Sequence, residues 1–233
     1  MKVARSLFLI IVAGLGFFIG ILLTIPLAWF SRDKTRVYQR SARIWAKLLA
    51  FLSGIPVTLQ GRYHVPRKQT VVFVSNHQSA ADILLLLAYL PVNFRFIVKK
   101  ELFKPPFFGW YLKKAGYLSV ERGVGEKAHR LFSEAQTALK SGESILIFAE
   151  GTRSRDGKLQ PFKRGSLLLA FRAKAKVVPV AISGSFHILP AKTYIYNVVP
   201  VRIKIGRPIS LEKYGTDYER ALEDIHEIIA GQL

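Results

Sequence analysis

Apolar and polar positions divide the chain into two unlike parts. From Leu7 to Phe30 the residues are almost entirely apolar and none is charged. A helix of about 20 such residues crosses the hydrocarbon core of a bilayer, so this stretch is long enough to span one. A cleaved signal sequence is the alternative. Its apolar region usually covers about 7–15 residues, and no clear small-x-small cleavage site follows here. Gly16 and Gly20 form a G-x-x-x-G, which permits close helix packing, although small residues are frequent in membrane helices anyway. The next segment has a helical period. Arg36, Arg40, Arg43 and Lys47 form a basic stripe, with Tyr38, Trp45, Leu49 and Leu52 on the opposite side. Such a helix suits a bilayer interface, and it equally suits a helix laid over a folded domain.

Past Gly54 the pattern changes to short apolar runs separated by helical stretches. The spacing predicts strands over Val57–Gln60, Thr70–Val74, Arg95–Val98, Tyr117–Val120, Ser144–Phe148, Val177–Ile182, Tyr194–Asn197 and Val201–Ile205. It predicts helices over Ala81–Tyr89, Phe107–Ala115, Glu126–Lys140, Gly165–Ala173 and Tyr218–Ile229. This alternation argues for an α/β sheet with both faces covered and no second domain. The expected organisation is a membrane-anchoring helical segment over 1–54 and an α/β domain over 55–233.

Charge narrows the partners. The chain is 50% hydrophobic yet carries a formal net charge of +20. That balance points to nucleic acid, an anionic membrane, or an acidic substrate or carrier. Arg32 and Lys34 add to the basic stripe after the apolar segment, against Lys2 and Arg5 before it, so the domain is expected on the cytoplasmic side. Whether the apolar segment spans or dips and returns stays open at this level. The chain has no cysteine, which removes disulfides, thiolate catalysis and cysteine metal sites together.

Candidate chemistry begins at Asn76-His77-Gln78-Ser79-Ala80-Ala81-Asp82, where an expected strand gives way to an expected helix. A histidine in that turn and an aspartate in the first helical turn can meet, the carboxylate reaching back. Ser79 to Asp82 also reads as a capping box, and the two readings are compatible. His77 suits a general base, because an imidazole can take up a proton and pass it onward, with Asp82 holding its tautomer.

Three more segments follow in order. Gly116 to Arg122 is a short strand that delivers an arginine. Ile145 to Ser154 is a buried strand running into the turn Glu150-Gly151-Thr152-Arg153. Val177 to Ile182 is an apolar strand carrying Pro179. Arg122 and Arg153 are natural phosphate ligands, because guanidinium offers phosphate two parallel hydrogen bonds. Lys100, Lys163 and Arg164 are weaker candidates of the same kind. Glu150 is placed to bind a substrate hydroxyl or to anchor Arg153, and Gly151 to let the backbone approach a substrate. His64, His129, His187 and His226 read as surface histidines. Gly123 to Lys127 lacks the spacing of a phosphate loop, and no G-x-S-x-G is present.

Taken together, His77 and Asp82 as H-x4-D, Arg122, Phe148 with Glu150 to Ser154, and Pro179 resemble the four sequence blocks of the glycerolipid acyltransferases. The resemblance is strongest to the bacterial 1-acyl-sn-glycerol-3-phosphate (lysophosphatidate) acyltransferases. It covers roughly Val57 to Gly206 and includes Val98 to Phe103 and Phe108 to Trp110. One departure is Ala149, where the family usually has proline; this leaves the rigidity of the turn open. The resemblance implies a mixed sheet flanked by helices, with the blocks gathered at one edge. It assigns Glu150, Gly151, Thr152 and Arg153 to acceptor binding. It also implies transfer of a fatty acyl chain from acyl carrier protein or coenzyme A to the sn-2 hydroxyl of lysophosphatidate. No metal or cofactor is implied beyond that thioester co-substrate, and the expected location is the bacterial inner membrane. Another lysolipid or glycerol 3-phosphate as acceptor is the nearest alternative. A non-catalytic membrane or nucleic-acid binder is more remote, since no nucleic-acid motif is present.

Overall fold

The computed structural model describes residues 2–121, 126–189 and 193–233. Two helices lead, α1 (Lys2–Trp29) and α2 (Lys34–Ser53), the second capped by the Asp33 carboxylate on the Arg36 N–H (2.9 Å) and closed at Gly54. Then come β1 (Val57–Gln60), β2 (Val71–Ser75), α3 (Ala81–Tyr89), β3 (Phe94–Lys99), α4 (Pro106–Lys114), β4 (Leu118–Val120) and α5 (Glu126–Lys140). The chain continues through β5 (Ser144–Phe148), α6 (Leu168–Arg172), β6 (Lys176–Ser183), β7 (Val201–Ile205) and α7 (Tyr218–Ala230).

The strands form one seven-stranded sheet in the order β1-β7-β6-β2-β5-β3-β4. From β6 to β4 all neighbours are parallel. β7 runs antiparallel to β6, and β1 pairs parallel with β7, so the sheet is mixed. Because successive strand side chains point to opposite faces, each central strand feeds two cores. Phe73, Leu146 and Val178 face one side with Ala46, Leu85, Leu86, Tyr111 and Leu112 of α2, α3 and α4. Val72, Val74, Ile145 and Val177 face the other with Ala135, Leu139, Ala170, Ala221 and Ile225 of α5, α6 and α7. Parallel strands buried on both faces read as continuous apolar runs, which is why β2, β5 and β6 were legible.

Pro179 lies inside this sheet. Its carbonyl accepts from Gly206 N (2.8 Å), just past the end of β7, and its ring fills the space beside Gly206. A Cβ on Gly206 would lie 2.9 Å from the ring. The proline therefore sits where β7 is already leaving the ladder.

Three expectations change. Tyr194–Asn197 is irregular, because its partners are not a strand: Tyr196 N donates to Ser6 Oγ on α1 (3.1 Å) and Asn197 N to Ile188 O (2.7 Å). α6 is shorter than predicted, since Lys163–Ser166 is spent on a turn closed by Ser166 N to Lys163 O. Arg43 does not belong to an exposed basic stripe. It is partly buried and donates to Val92 O, while Ile44, Leu48 and Phe51 share the outer face with Arg40 and Lys47.

α1 is 28 residues long, and mean hydropathy reaches 2.8 over its most apolar window, most of which is exposed. It is held against the rest of the molecule at points spread along its length. Ser6 meets Tyr196, and Ala13 O accepts from Trp45 Nε1 (3.1 Å). Further along, Phe17 packs on Tyr111 and Phe108, and Thr24 Oγ bonds Ser41 Oγ (2.6 Å).

Candidate active site

The first block sits where β2, at the centre of the sheet, ends. Asn76 is fully buried and its side-chain amide pairs with Ile182 of β6 as a peptide would: Nδ2 donates to Ile182 O (2.9 Å) and Oδ1 accepts from Ile182 N (2.8 Å). His77 follows in the turn. Its Nδ1 lies 2.8 Å from Asp82 Oδ2, so the expected reach-back of Asp82 from the first turn of α3 is present. The same oxygen accepts from Gln78 N (2.7 Å) and Ser79 N (2.8 Å). α3 starts from Ala80 with no side-chain cap, so the capping box expected with Ser79 as N-cap does not form; Asp82 Oδ2 instead gathers two N–H groups of the turn and the histidine at once. Asp82 is fully buried, and its Oδ1 has no partner among the described residues.

The imidazole lies flat on the Phe148 ring, with centroids 3.8 Å apart and planes at 13°. Phe148 in turn stacks on Phe96. With Nδ1 bonded to a carboxylate, the ring proton belongs on Nδ1 and the Nε2 lone pair is available. Nε2 has no hydrogen-bond partner among the described residues, and the side chain is 13% exposed. The arrangement therefore leaves an imidazole held by Asp82 and Phe148 with its Nε2 able to accept a proton.

The third block enters from β5. Ala149 N donates to Ser75 O (3.0 Å), continuing the β2–β5 ladder by one bond, and Ala149 O accepts from Lys163 N (2.9 Å). The proline usual at this position could not make the first bond. The rigidity left in question by Ala149 is supplied by hydrogen bonding. Gly151 has φ of +67°, so its glycine is required by the turn conformation, and the Lys163 stem packs over it at 3.1 Å from a built Cβ.

Glu150 does not pair with Arg153. It is 2% exposed; Oε1 accepts from His77 N (2.6 Å) and Oε2 from Gln160 N (2.9 Å). Burial pushes its carboxyl above the ordinary glutamate range, partly countered by those two backbone bonds. Ser154 N donates to His77 O (2.8 Å). Thr152 and Arg153 lie between these two anchors and are exposed, and the Arg153 guanidinium has no ion-pair partner among the described residues.

Other predicted site residues spread further. Arg122 lies outside the described residues. Lys100 follows β3, pairs with Glu121 and lines a cavity of about 600 Å³ together with Ser119, His129 and Arg130. His77 is not among the residues lining that cavity. Lys163 is exposed beside Gly151, and Arg164 pairs with Glu219 (2.8 Å). Two of the remaining histidines are not simple surface groups: His64 Nδ1 bonds Ile205 O (2.8 Å), and His226 packs its edge on Phe162 with Nε2 buried. The first and third blocks meet at the carboxyl ends of the adjacent central strands β2 and β5, whereas β4, which leads toward Arg122, is at a lateral edge of the sheet and Pro179 lies within β6. Phe148 and Asn76 take part in ways the sequence did not reveal, since each acts on a residue far away in the chain, and Gln160 does so across the loop that follows β5.

A family model described as acyltransferase matches residues 56–183. The chain belongs to the acyltransferase family. The chain is 31% identical to a chloroplastic 1-acyl-sn-glycerol-3-phosphate acyltransferase of Brassica napus, over 97% of its own length and 66% of the relative's. It is 33% identical to the human 1-acyl-sn-glycerol-3-phosphate acyltransferase alpha, over 76% of its length and 62% of the relative's. It thus spans no more than about two thirds of these curated relatives. Its fold matches the crystal structure of PlsC, the 1-acyl-sn-glycerophosphate acyltransferase of Thermotoga maritima, with a TM-score of 0.86 at 27% identity. That match covers 98% of this chain and 95% of the PlsC chain.

Proposed function

We propose that this acyltransferase moves a fatty acyl chain from an acyl thioester, of acyl carrier protein or coenzyme A, to the sn-2 hydroxyl of lysophosphatidate, giving phosphatidate. The observation that carries the reading is the His77–Asp82 contact with Nε2 open, on a chain whose relatives are named for this reaction. The acceptor hydroxyl gives its proton to Nε2 as its oxygen attacks the thioester carbonyl. The tetrahedral intermediate collapses with loss of the thiolate, which takes the proton back from the imidazolium. Asp82 stabilises that imidazolium and fixes its tautomer. No acyl-enzyme forms, because the acceptor itself is the nucleophile. Arg153, exposed beside the catalytic turn, holds the acceptor phosphate, with Thr152 and the Gly151 backbone beside it; Arg122, Lys163 and Lys100 extend the positive field.

The enzyme works at the cytoplasmic membrane. α1 and the outer face of α2 carry the apolar surface that enters lipid, including Leu15, Leu22, Ile44, Leu48 and Phe51. The contacts of α1 from Ser6 to Thr24 support a helix lying with the domain at one leaflet, not one projecting from it.

The test is acyl transfer by detergent-solubilised protein with lysophosphatidate, each donor supplied separately, beside His77→Ala. Phosphatidate made by the wild type and reduced by ~10²–10⁴-fold in the variant is expected. Near-normal turnover in the variant removes His77 from the mechanism. Arg153→Ala should raise the acceptor KM more than it lowers kcat, because a phosphate contact acts largely in the ground state. An unchanged KM would assign the phosphate elsewhere.

A further inference from the structure

We propose that Glu150 is a positioning residue for His77 and not a ligand of the acceptor. The inference deepens the reading of His77 as the base and rests on it. A carboxylate that binds a substrate hydroxyl must offer it a lone pair in the open site. Glu150 is 2% exposed, and each oxygen is already engaged by a backbone N–H of its own protein, His77 on one side and Gln160 on the other. The 2.6 Å contact to His77 N is short for an N–H donor, as expected when the acceptor is charged and desolvated.

The consequence for His77 is geometric. Its peptide is gripped at both ends by one loop: N–H by the Glu150 carboxylate and C=O by Ser154 N. Its ring is gripped separately, by Asp82 at Nδ1 and by Phe148 beneath. Asp82 and Phe148 set the orientation of the imidazole about its side-chain bonds, but neither sets where the Cα sits. Glu150 does, together with Ser154 N on the far side of Arg153, and its bond to Gln160 N fixes the carboxylate itself. The base and the arginine are therefore held in one frame, and the glutamate that links them never meets the substrate.

Glu150→Ala and Glu150→Gln, assayed with lysophosphatidate beside wild type, test this. A displacement of the base of about 1 Å costs on the order of 10²-fold in rate, so Glu150→Ala should lose roughly that factor in kcat. Its acceptor KM should stay within about twofold, since no ground-state contact is removed. Glu150→Gln keeps one acceptor oxygen and should fall between wild type and the alanine variant. A KM raised by about tenfold or more in either variant, whatever happens to kcat, makes Glu150 an acceptor ligand and overturns the proposal. Wild-type kcat in both variants overturns it as well. Should the alanine variant fail to fold, the isosteric glutamine variant carries the same split.

Backbone amide exchange of His77, followed by NMR in detergent, is independent of substrate. The N–H should be protected in the wild type and exchange faster in Glu150→Ala. Unchanged protection means the carboxylate does not hold it. If lysophosphatidate gives no product with the wild type, the choice of acceptor fails while the exchange measurement still decides the role of Glu150.

Discussion

At the residue scale, the site is built from buried carboxylates that bond backbone as much as side chains. Asp82 serves three donors with one oxygen, and Glu150 serves two with both. H-x4-D was readable because both partners lie in one turn. The environment of Glu150 was not, because a glutamate in a glycine turn looks solvent-exposed until Gln160 and His77 fold over it. This burial has a consequence for stability. The folded-state pKa of Glu150 is raised above its ordinary value of 4.5. Its contribution is therefore fully present below the ordinary value and is lost as pH rises through the raised folded value. Glu150→Gln does not titrate there, so wild type should lose stability relative to that variant across this window and run level with it above. Paired unfolding curves from about pH 4 to about pH 8 check this, and a wild-type advantage that grows with pH would contradict the sign.

At the scale of elements, α1 is the informative one. Length and hydropathy allow a span, and sequence could not choose between spanning and dipping back. The structure adds the contacts on its inner side. Gly16 faces the Trp45 ring and Gly20 faces Ser41, and a Cβ at either would meet them at 3.4 and 3.8 Å, ordinary contact. The G-x-x-x-G therefore lies on the face toward α2 without the packing requiring glycine there. The absence of cysteine makes topology directly measurable. A Lys2→Cys variant in sealed vesicles should react with an impermeant maleimide from the same side as an exposed cysteine placed on α7. Labelling only from the opposite side would establish a span. The amphipathic pattern of α2 was correct in period but not in every direction: Arg43 turns inward because Val92 O awaits a donor there.

For the whole molecule, the packing groups α2 with the sheet. Tyr38, Ala42, Ala46 and Ala50 belong to the same core as Phe73, Leu86 and Leu146. Gln39 bonds Ala115 O (3.2 Å) and approaches Glu143, which also pairs with Arg95. Removal of residues 1–33 should leave a cooperatively unfolding domain with reduced vesicle binding. Removal of 1–54 should abolish cooperative unfolding, since it strips apolar cover worth about 25 cal/mol per Å² from α3 and the sheet. Thermal unfolding followed by near-UV circular dichroism distinguishes the two; an intact transition in the shorter protein would place the domain boundary after α2.

The sequence by itself determined the alternation of strands and helices, the buried parallel strands, the apolar leader and the His77–Asp82 pair. Each depends on periodicity or on residues a few positions apart, and local sterics and apolar burial act at that range. Tertiary structure alone decided the rest. Strand order brought β2 and β5 side by side, so that Phe148 lies under His77 and the Glu150 turn closes on its backbone. The packing of α1 on α2 and on the Tyr196 loop fixed which face of the apolar helix turns inward. The loop at Tyr194–Asn197 took a helix as its partner in place of a strand. These outcomes depend on which distant groups meet and which polar atoms burial leaves needing a partner, and no local pattern in a single chain encodes that.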